Sequence, residues 1–160
     1  MDNSATTEFK RFYLIEALPE PLTRASPHIQ LFDNYVPATR LRLRSIRFPE
    51  TKAWTYLLEQ RSWNEAELPT GDVTRIELNE AEHAALEHLE GTEIRKNRYT
   101  HEIEGCMFEF DVYLGKLWGL NRAAVSFESL AGMQAFQHPG EAYFEVTGNA
   151  FFRDENIVER

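Results

Sequence analysis

Apolar and polar side chains alternate with a period of two through most of the chain, in runs broken by Pro, Gly and Asn, the pattern of half-buried strands. Such runs occupy residues 8–15, 29–36, 39–47, 52–61 and 72–78. Pro19 and Pro21 end the first and Pro37 the second, since proline cannot donate to a ladder. The period then changes. Asn79 precedes EAEHAALEHLE, where Ala81, Ala84, Ala85, Leu86 and Leu89 predict a short helix, with Asn79 as N-cap, Glu80 and Glu82 in the first turn and Gly91 as the stop. Alternation returns at 92–102, 106–114 and 121–128, with a tight turn at Glu104-Gly105. A second helix is predicted over 129–137, before Pro139-Gly140, and a last short strand over 143–147. About eight main strands with two inserted helices predict an α+β chain, mainly antiparallel β, closed or nearly closed into a barrel.

Alternation also sorts the side chains by face. Arg40, Arg42 and Arg44 share one face of the third strand, opposite Leu41 and Leu43. Lys96 and Arg98 share a face of the sixth. Glu109 and Asp111 lie opposite Phe108, Phe110, Val112 and Leu114 on the seventh, and Arg122, Ala124, Ser126 and Glu128 lie opposite Ala123, Val125 and Phe127 on the eighth. Two architectures give this pattern. In an ordinary sandwich the charged faces meet water; in an inverted barrel they meet one another in a polar lumen, and the apolar outer wall carries the helices. Alternation alone leaves both open.

Composition narrows the class. At 160 residues with 42% hydrophobic and 12% aromatic residues, the chain suits one packed domain, 1–160. A net charge of −9 argues against general nucleic-acid binding. Charge is uneven, however: residues 40–47 carry four arginines and no acid, while 64–93 carry nine Asp/Glu and one Arg. A local basic pocket is therefore compatible with an acidic total. Cys106 is the only cysteine, which excludes an internal disulfide and a cysteine-based zinc site. His28, His83, His88, His101 and His138 form no metal-binding spacing, and no phosphate loop, GxSxG or HExxH motif occurs. Trp54, Trp63 and Trp118 read as core or outer-wall residues. No apolar run approaches the roughly 20 residues of a membrane span, and MDNSATTEFKR lacks a signal-peptide core, so a cytoplasmic protein with no membrane association is expected.

The segments KRFYLIEALPE, DNYVPATRLRLR, LLEQR, IELNEAEHAALEHLEG, IRKNRY, DVYLGKLWGL and FEVTGNAFF follow one another from residue 9 to about residue 152. In this order they resemble the CYTH family, the triphosphate tunnel metalloenzymes, most of all its compact bacterial members. The resemblance implies an eight-stranded antiparallel tunnel that binds a triphosphate or nucleoside triphosphate between rings of Arg and Lys. It also implies Mg²⁺ or Mn²⁺ held by glutamates of an N-terminal ExExK strand and of a late ExE-like strand. Guanidinium forks match phosphate oxygens, and a hard cation takes carboxylate and phosphate oxygens.

Carried onto this chain, the family's cations correspond to Arg42, Arg44, Lys96 and Arg98, with Arg11 at the end of the N-terminal motif, Arg61 in the fourth strand, and Arg40 beside them. Asp111 matches the aspartate of the acidic strand and is the candidate catalytic residue. The family's glutamates do not carry over. With Arg11 ending ExExK, Thr7 and Phe9 occupy two glutamate positions, and Ala124 and Ser126 occupy the late pair. A one-residue shift would supply Glu8 instead but, with Arg11 facing inward, on the wrong face. A relocated single-metal site drawn from Glu109, Asp111, Glu128 and Glu77 is the alternative.

The resulting expectation is a basic tunnel binding a phosphorylated small molecule or nucleotide, with no cofactor and without standard metal-dependent hydrolysis. Eight cations (Arg11, Arg40, Arg42, Arg44, Arg61, Lys96, Arg98, Arg122) against Glu77, Glu109, Asp111 and Glu128 favour an anion. The alternatives are a working Mg²⁺- or Mn²⁺-dependent triphosphatase or adenylyl-cyclase-like enzyme, and a non-binding interaction subunit with a protein partner or a second copy of itself.

Overall fold

A computed structural model describes residues 5–157; the ends of the expected 1–160 domain lie outside the described residues. Nine strands form one antiparallel sheet: β1 (Thr6–Leu14), β2 (Ile29–Tyr35), β3 (Leu41–Phe48), β4 (Ala53–Asn64), β5 (Thr70–Leu78), β6 (Thr92–Ile103), β7 (Cys106–Tyr113), β8 (Asn121–Phe127) and β9 (Phe144–Glu145). Their order is β5-β4-β3-β2-β6-β7-β8-β1-β9, and β5 also pairs with β1, so eight strands close into a barrel. The β6–β7 hairpin turns at Glu104 (φ 50°) and Gly105 (φ 80°), two successive left-handed residues of the kind that match strand twist.

The barrel is inverted. Tyr13, Tyr99, Phe108, Phe110, Val112, Ala123 and Val125 form the main buried cluster, on the outer face of β1, β6, β7 and β8. Ile15, Leu18, Leu22, Phe136 and Tyr143 pack over it. Helix α2 (Leu130–Ala135), capped by the Ser129 side chain, sends Met133 inward beside this wall. The charged faces of the same strands turn to the lumen, so the sandwich alternative is excluded.

Helix α1 (Glu80–Leu86) has the expected Asn79 cap as a capping box with Glu82, but ends short of Gly91. Gly91 instead lies against β2, where a Cβ would sit 1.9 Å from Asn34 Oδ1 and 2.6 Å from the Tyr35 carbonyl oxygen. The chain must leave the helix early to pass this close. A third helix, α3 (Asp154–Ile157), was not expected, and it lies at the tunnel rather than outside.

The seam between β1 and β5 is paired over only three residues, Thr6↔Val73, Thr7↔Asp72 and Glu8↔Gly71. Further along β1 the same edge takes β9 through Tyr13↔Glu145. Val146 N donates to the Phe12 carbonyl (2.8 Å), Phe12 N donates to Thr147 Oγ1 (2.9 Å), and Trp63 Nε1 donates to Glu155 Oε2 (2.8 Å). The C-terminal stretch thereby bridges the gap and becomes part of the lumen wall.

Candidate functional site: a basic tunnel

The lumen encloses a cavity of about 560 Å³, within the usual range for small-molecule pockets. Ten Lys and Arg side chains line it: Lys10, Arg40, Arg42, Arg44, Arg61, Arg75, Lys96, Arg98, Arg122 and Arg153. Five of the expected phosphate-binding residues, Arg42, Arg44, Arg61, Lys96 and Arg98, are among them, as is Arg40.

Arg11 is not. It faces outward beneath α2, donating Nε and Nη2 to Glu145 (both 2.7 Å) and Nη1 to the carbonyls of Met133 (3.1 Å) and Phe136 (2.8 Å). The tunnel face of β1 is Glu8, Lys10 and Phe12. Thr7, one of the supposed lost glutamate positions, donates to Asp72 at the exposed surface (2.7 Å), and Phe9 shares that outward face. The frame is therefore shifted by one residue from the expectation. Thr6, Glu8 and Lys10 stand in for Glu-x-Glu-x-Lys, so one carboxylate of that motif is present. The signal was legible: TTEFK fits the motif with one substitution, whereas the frame ending at Arg11 needs three.

The cations are braced from behind by carboxylates on neighbouring strands. Arg44 makes a fork-on-fork pair with buried Asp33 (2.6 and 2.8 Å). Glu59, 2% exposed, accepts from Arg42 Nε (3.0 Å) and Arg75 Nε (2.7 Å). Glu8 accepts from Arg61 (2.8 Å) and Arg75 (2.7 Å). Asp111 takes Arg98 in a bidentate pair (2.7 and 3.0 Å) and Lys96 at 2.9 Å. Asp154 of α3 accepts from Lys96 (2.6 Å) and Tyr113 (2.6 Å), with Arg122 at 3.3 Å. Sequence reasoning missed Lys10, Arg75, Asp33, Glu59 and Asp154, because acids and cations far apart in the chain are matched only once strand register is known, and it set Glu8 aside as the product of a one-residue shift.

Asp111, the candidate catalytic acid, lies behind Arg98 and Lys96 at 4% exposure and does not line the cavity. Its geometry is that of a positioning group. Burial would raise its pKa, but Arg98 and Lys96 hold it well below the usual carboxylate range. Burial pushes the Lys96 ammonium down, against Asp111 and Asp154, which hold it up.

Glu8 gives a pH test. Burial alone would raise its pKa, yet Lys10, Arg61 and Arg75 bring it from 4.5 down to about 2. A carboxyl depressed on folding contributes stability that is full above its unfolded pKa and is lost as pH falls toward its folded one. For Glu8 that window runs from about 4.5 to about 2, and its share is on the order of 3 kcal/mol. Asp33, Glu59 and Asp154 are depressed too and add with the same sign. Melting curves followed by circular dichroism should therefore fall steeply in this window, and Glu8→Gln should flatten part of the fall.

Among the described residues, no three His, Cys, Asp or Glu side chains are placed to share a metal ion. Ala124 and Ser126 do stand on the tunnel face of β8, as expected, and bring no carboxylate. Glu128 is exposed beyond the end of β8, and Glu77 is exposed beside Trp54 and Tyr56. The relocated metal group of Glu109, Asp111, Glu128 and Glu77 is therefore not assembled.

No family model and no curated protein matches the chain. Two solved structures of one protein, NE1496, are similar over almost its whole length. The structure described as the inorganic triphosphatase NE1496 shares 22% identity, covers 97% of this chain and 96% of that one, and gives a TM-score of 0.64. The structure described as the hypothetical protein NE1496 gives 23%, 96%, 98% and 0.63. The chain has the CYTH-type fold. In this CYTH-type tunnel, β1 and β8 stand side by side through Phe9↔Phe127, Lys10↔Ser126 and Phe12↔Ala124. The two strands that the motifs assign to metal ligation are thus adjacent, with one carboxylate left between them at Glu8.

Proposed function

We propose that the tunnel binds a phosphorylated small molecule or nucleotide of the triphosphate or polyphosphate type. The observation that carries this is charge balance around the cavity. Among the described residues ten cations line it, against the eight carboxylates Glu8, Asp33, Glu59, Glu65, Glu109, Asp111, Asp154 and Glu155 on the wall or bracing it. Enclosed cations without a full set of partners are costly, and an anion with several oxygens relieves that cost. The guanidinium groups approach from β3, β4, β5, β6 and β8, which suits a ligand with charge distributed along its length rather than one carboxylate. With a net charge of −9, attraction for an anion depends on the local field of the tunnel rather than on the total.

A thermal-shift panel of phosphate, triphosphate, ATP, thiamine triphosphate and short polyphosphate, each with EDTA, Mg²⁺ or Mn²⁺, tests this. A ligand at 100 times its dissociation constant adds about 2.7 kcal/mol. Stabilisation that rises with phosphate number is the expected result, and no shift with any phosphate would overturn the reading.

Hydrolysis of the bound chain is the second reading, favoured by Glu8 standing on the tunnel face. Its signature is orthophosphate release from tripolyphosphate that Glu8→Gln abolishes while binding persists. A cytoplasmic location accords with such ligands; no helix among the described residues is long and apolar enough to cross a membrane.

A further inference from the structure

Glu8 on β1 and Glu109 on β7 are separated by β8, yet one side chain connects them. Lys10 Nζ lies 3.4 Å from Glu109 Oε1 and 3.9 Å from Glu8 Oε2. Strand register explains the reach. Lys10 is opposite Ser126, and Ala124 is opposite Glu109, so the intervening strand presents only small side chains to the lumen. A long residue at either position would stand in the path of the ammonium. Both carboxylates are also held from the far side, Glu8 by Arg61 and Arg75 and Glu109 by Arg98 Nη1 at 3.4 Å.

We propose that the Lys10 ammonium joins Glu8 to Glu109 across β8, so that these two carboxylates are already engaged and anion binding requires no metal. A metal ion entering here would have to expel Lys10 and remain beside Arg61, Arg75 and Arg98, whose charges oppose it. The ammonium supplies one positive charge toward a phosphate oxygen, and it stays attached to the chain. The part concerning anion binding rests on the function proposed above; the exclusion of the metal does not.

The test is Mn²⁺ titration of the whole chain, without phosphate, followed by loss of the free-ion electron paramagnetic resonance signal. The wild type is expected to leave Mn²⁺ free. Lys10→Ala should bind it at least about tenfold more tightly, since two carboxylates then face each other unbridged beside Ser126 Oγ and water. Lys10→Ala with Glu109→Gln should lose the gain. Lys10→Met, which keeps the stem and removes the charge, serves if the alanine variant melts without cooperativity. Mn²⁺ bound by the wild type and lost in Glu8→Gln overturns the proposal, as does a folded Lys10 variant with no gain. Tripolyphosphate titrated in EDTA is the separate arm. Its failure to bind would remove the function proposed above and leave the Mn²⁺ result standing on its own.

Discussion

Asp111→Asn is expected to lower the melting temperature by roughly 6–20 °C, and added tripolyphosphate is expected to recover more of that loss than it adds to the wild type. Asp111 accepts two hydrogen bonds from Arg98 and makes an ion pair with Lys96, all within 3.0 Å. Lys96 is 1% exposed, so the charge released by the substitution cannot turn to water. Breaking a buried pair from one side costs about 3–5 kcal/mol, and each kcal/mol moves the midpoint of a domain this size by about 2–4 °C. Asparagine keeps the shape and one acceptor oxygen, which isolates charge from packing. What remains is a tunnel with greater positive excess, and so with greater affinity for an anion. Melts of both proteins with and without tripolyphosphate check the two parts. An unchanged midpoint would mean that the Asp111 pairs contribute little. A drop that phosphate does not mend would mean that the excess charge is not addressed by such a ligand.

The strands that were easiest to place are those whose two faces differ without ambiguity. TRLRLR and IRKNRY alternate basic with apolar or neutral residues, and their lumen faces, Arg42 with Arg44 and Lys96 with Arg98, follow from period alone. β1 is different. TTEFKRFYL carries Lys10 and Arg11 side by side and aromatic residues on both faces, so either frame gives one cation inside. The decision is tertiary: Tyr13, fully buried among Phe108, Phe110 and Val125, turns Arg11 outward to the carbonyls that close α2. The inverted barrel was likewise open from alternation, since charge facing water and charge facing charge give the same sequence pattern. It is settled by the closure of β5 on β1, a pairing between residues more than sixty apart. Asp154 was not legible at all. α3 is four residues long, with no periodicity to detect, and the role of its acid comes from the distant Lys96, Tyr113 and Arg122.

Arg42→Ala and Arg11→Ala, compared as a pair, separate tunnel chemistry from packing. Arg42 lines the cavity, held by Glu59 and by Tyr35 Oη at 3.1 Å. Removing it deletes a guanidinium from the lumen and leaves the Glu59 carboxylate with Arg75 as its nearest partner, so the local field turns against an anion. A loss of about 2 kcal/mol or more in tripolyphosphate affinity is expected, a rise in dissociation constant of roughly 30-fold or more by isothermal titration in EDTA. Arg11→Ala removes a bidentate pair with Glu145 and two bonds to the end of α2, and is expected to cost about 1.5–3 kcal/mol of stability. Its effect on tripolyphosphate affinity should stay within about twofold, because that side chain lies on the opposite side of the wall. The reverse outcome, binding lost with Arg11 and kept without Arg42, would restore the frame in which Arg11 faces the lumen and place Lys10 outside it. Equal loss in both would mean that affinity tracks the integrity of the barrel rather than the charge within it. Only the unequal result ties the ligand to the residues that β1 and β3 turn inward.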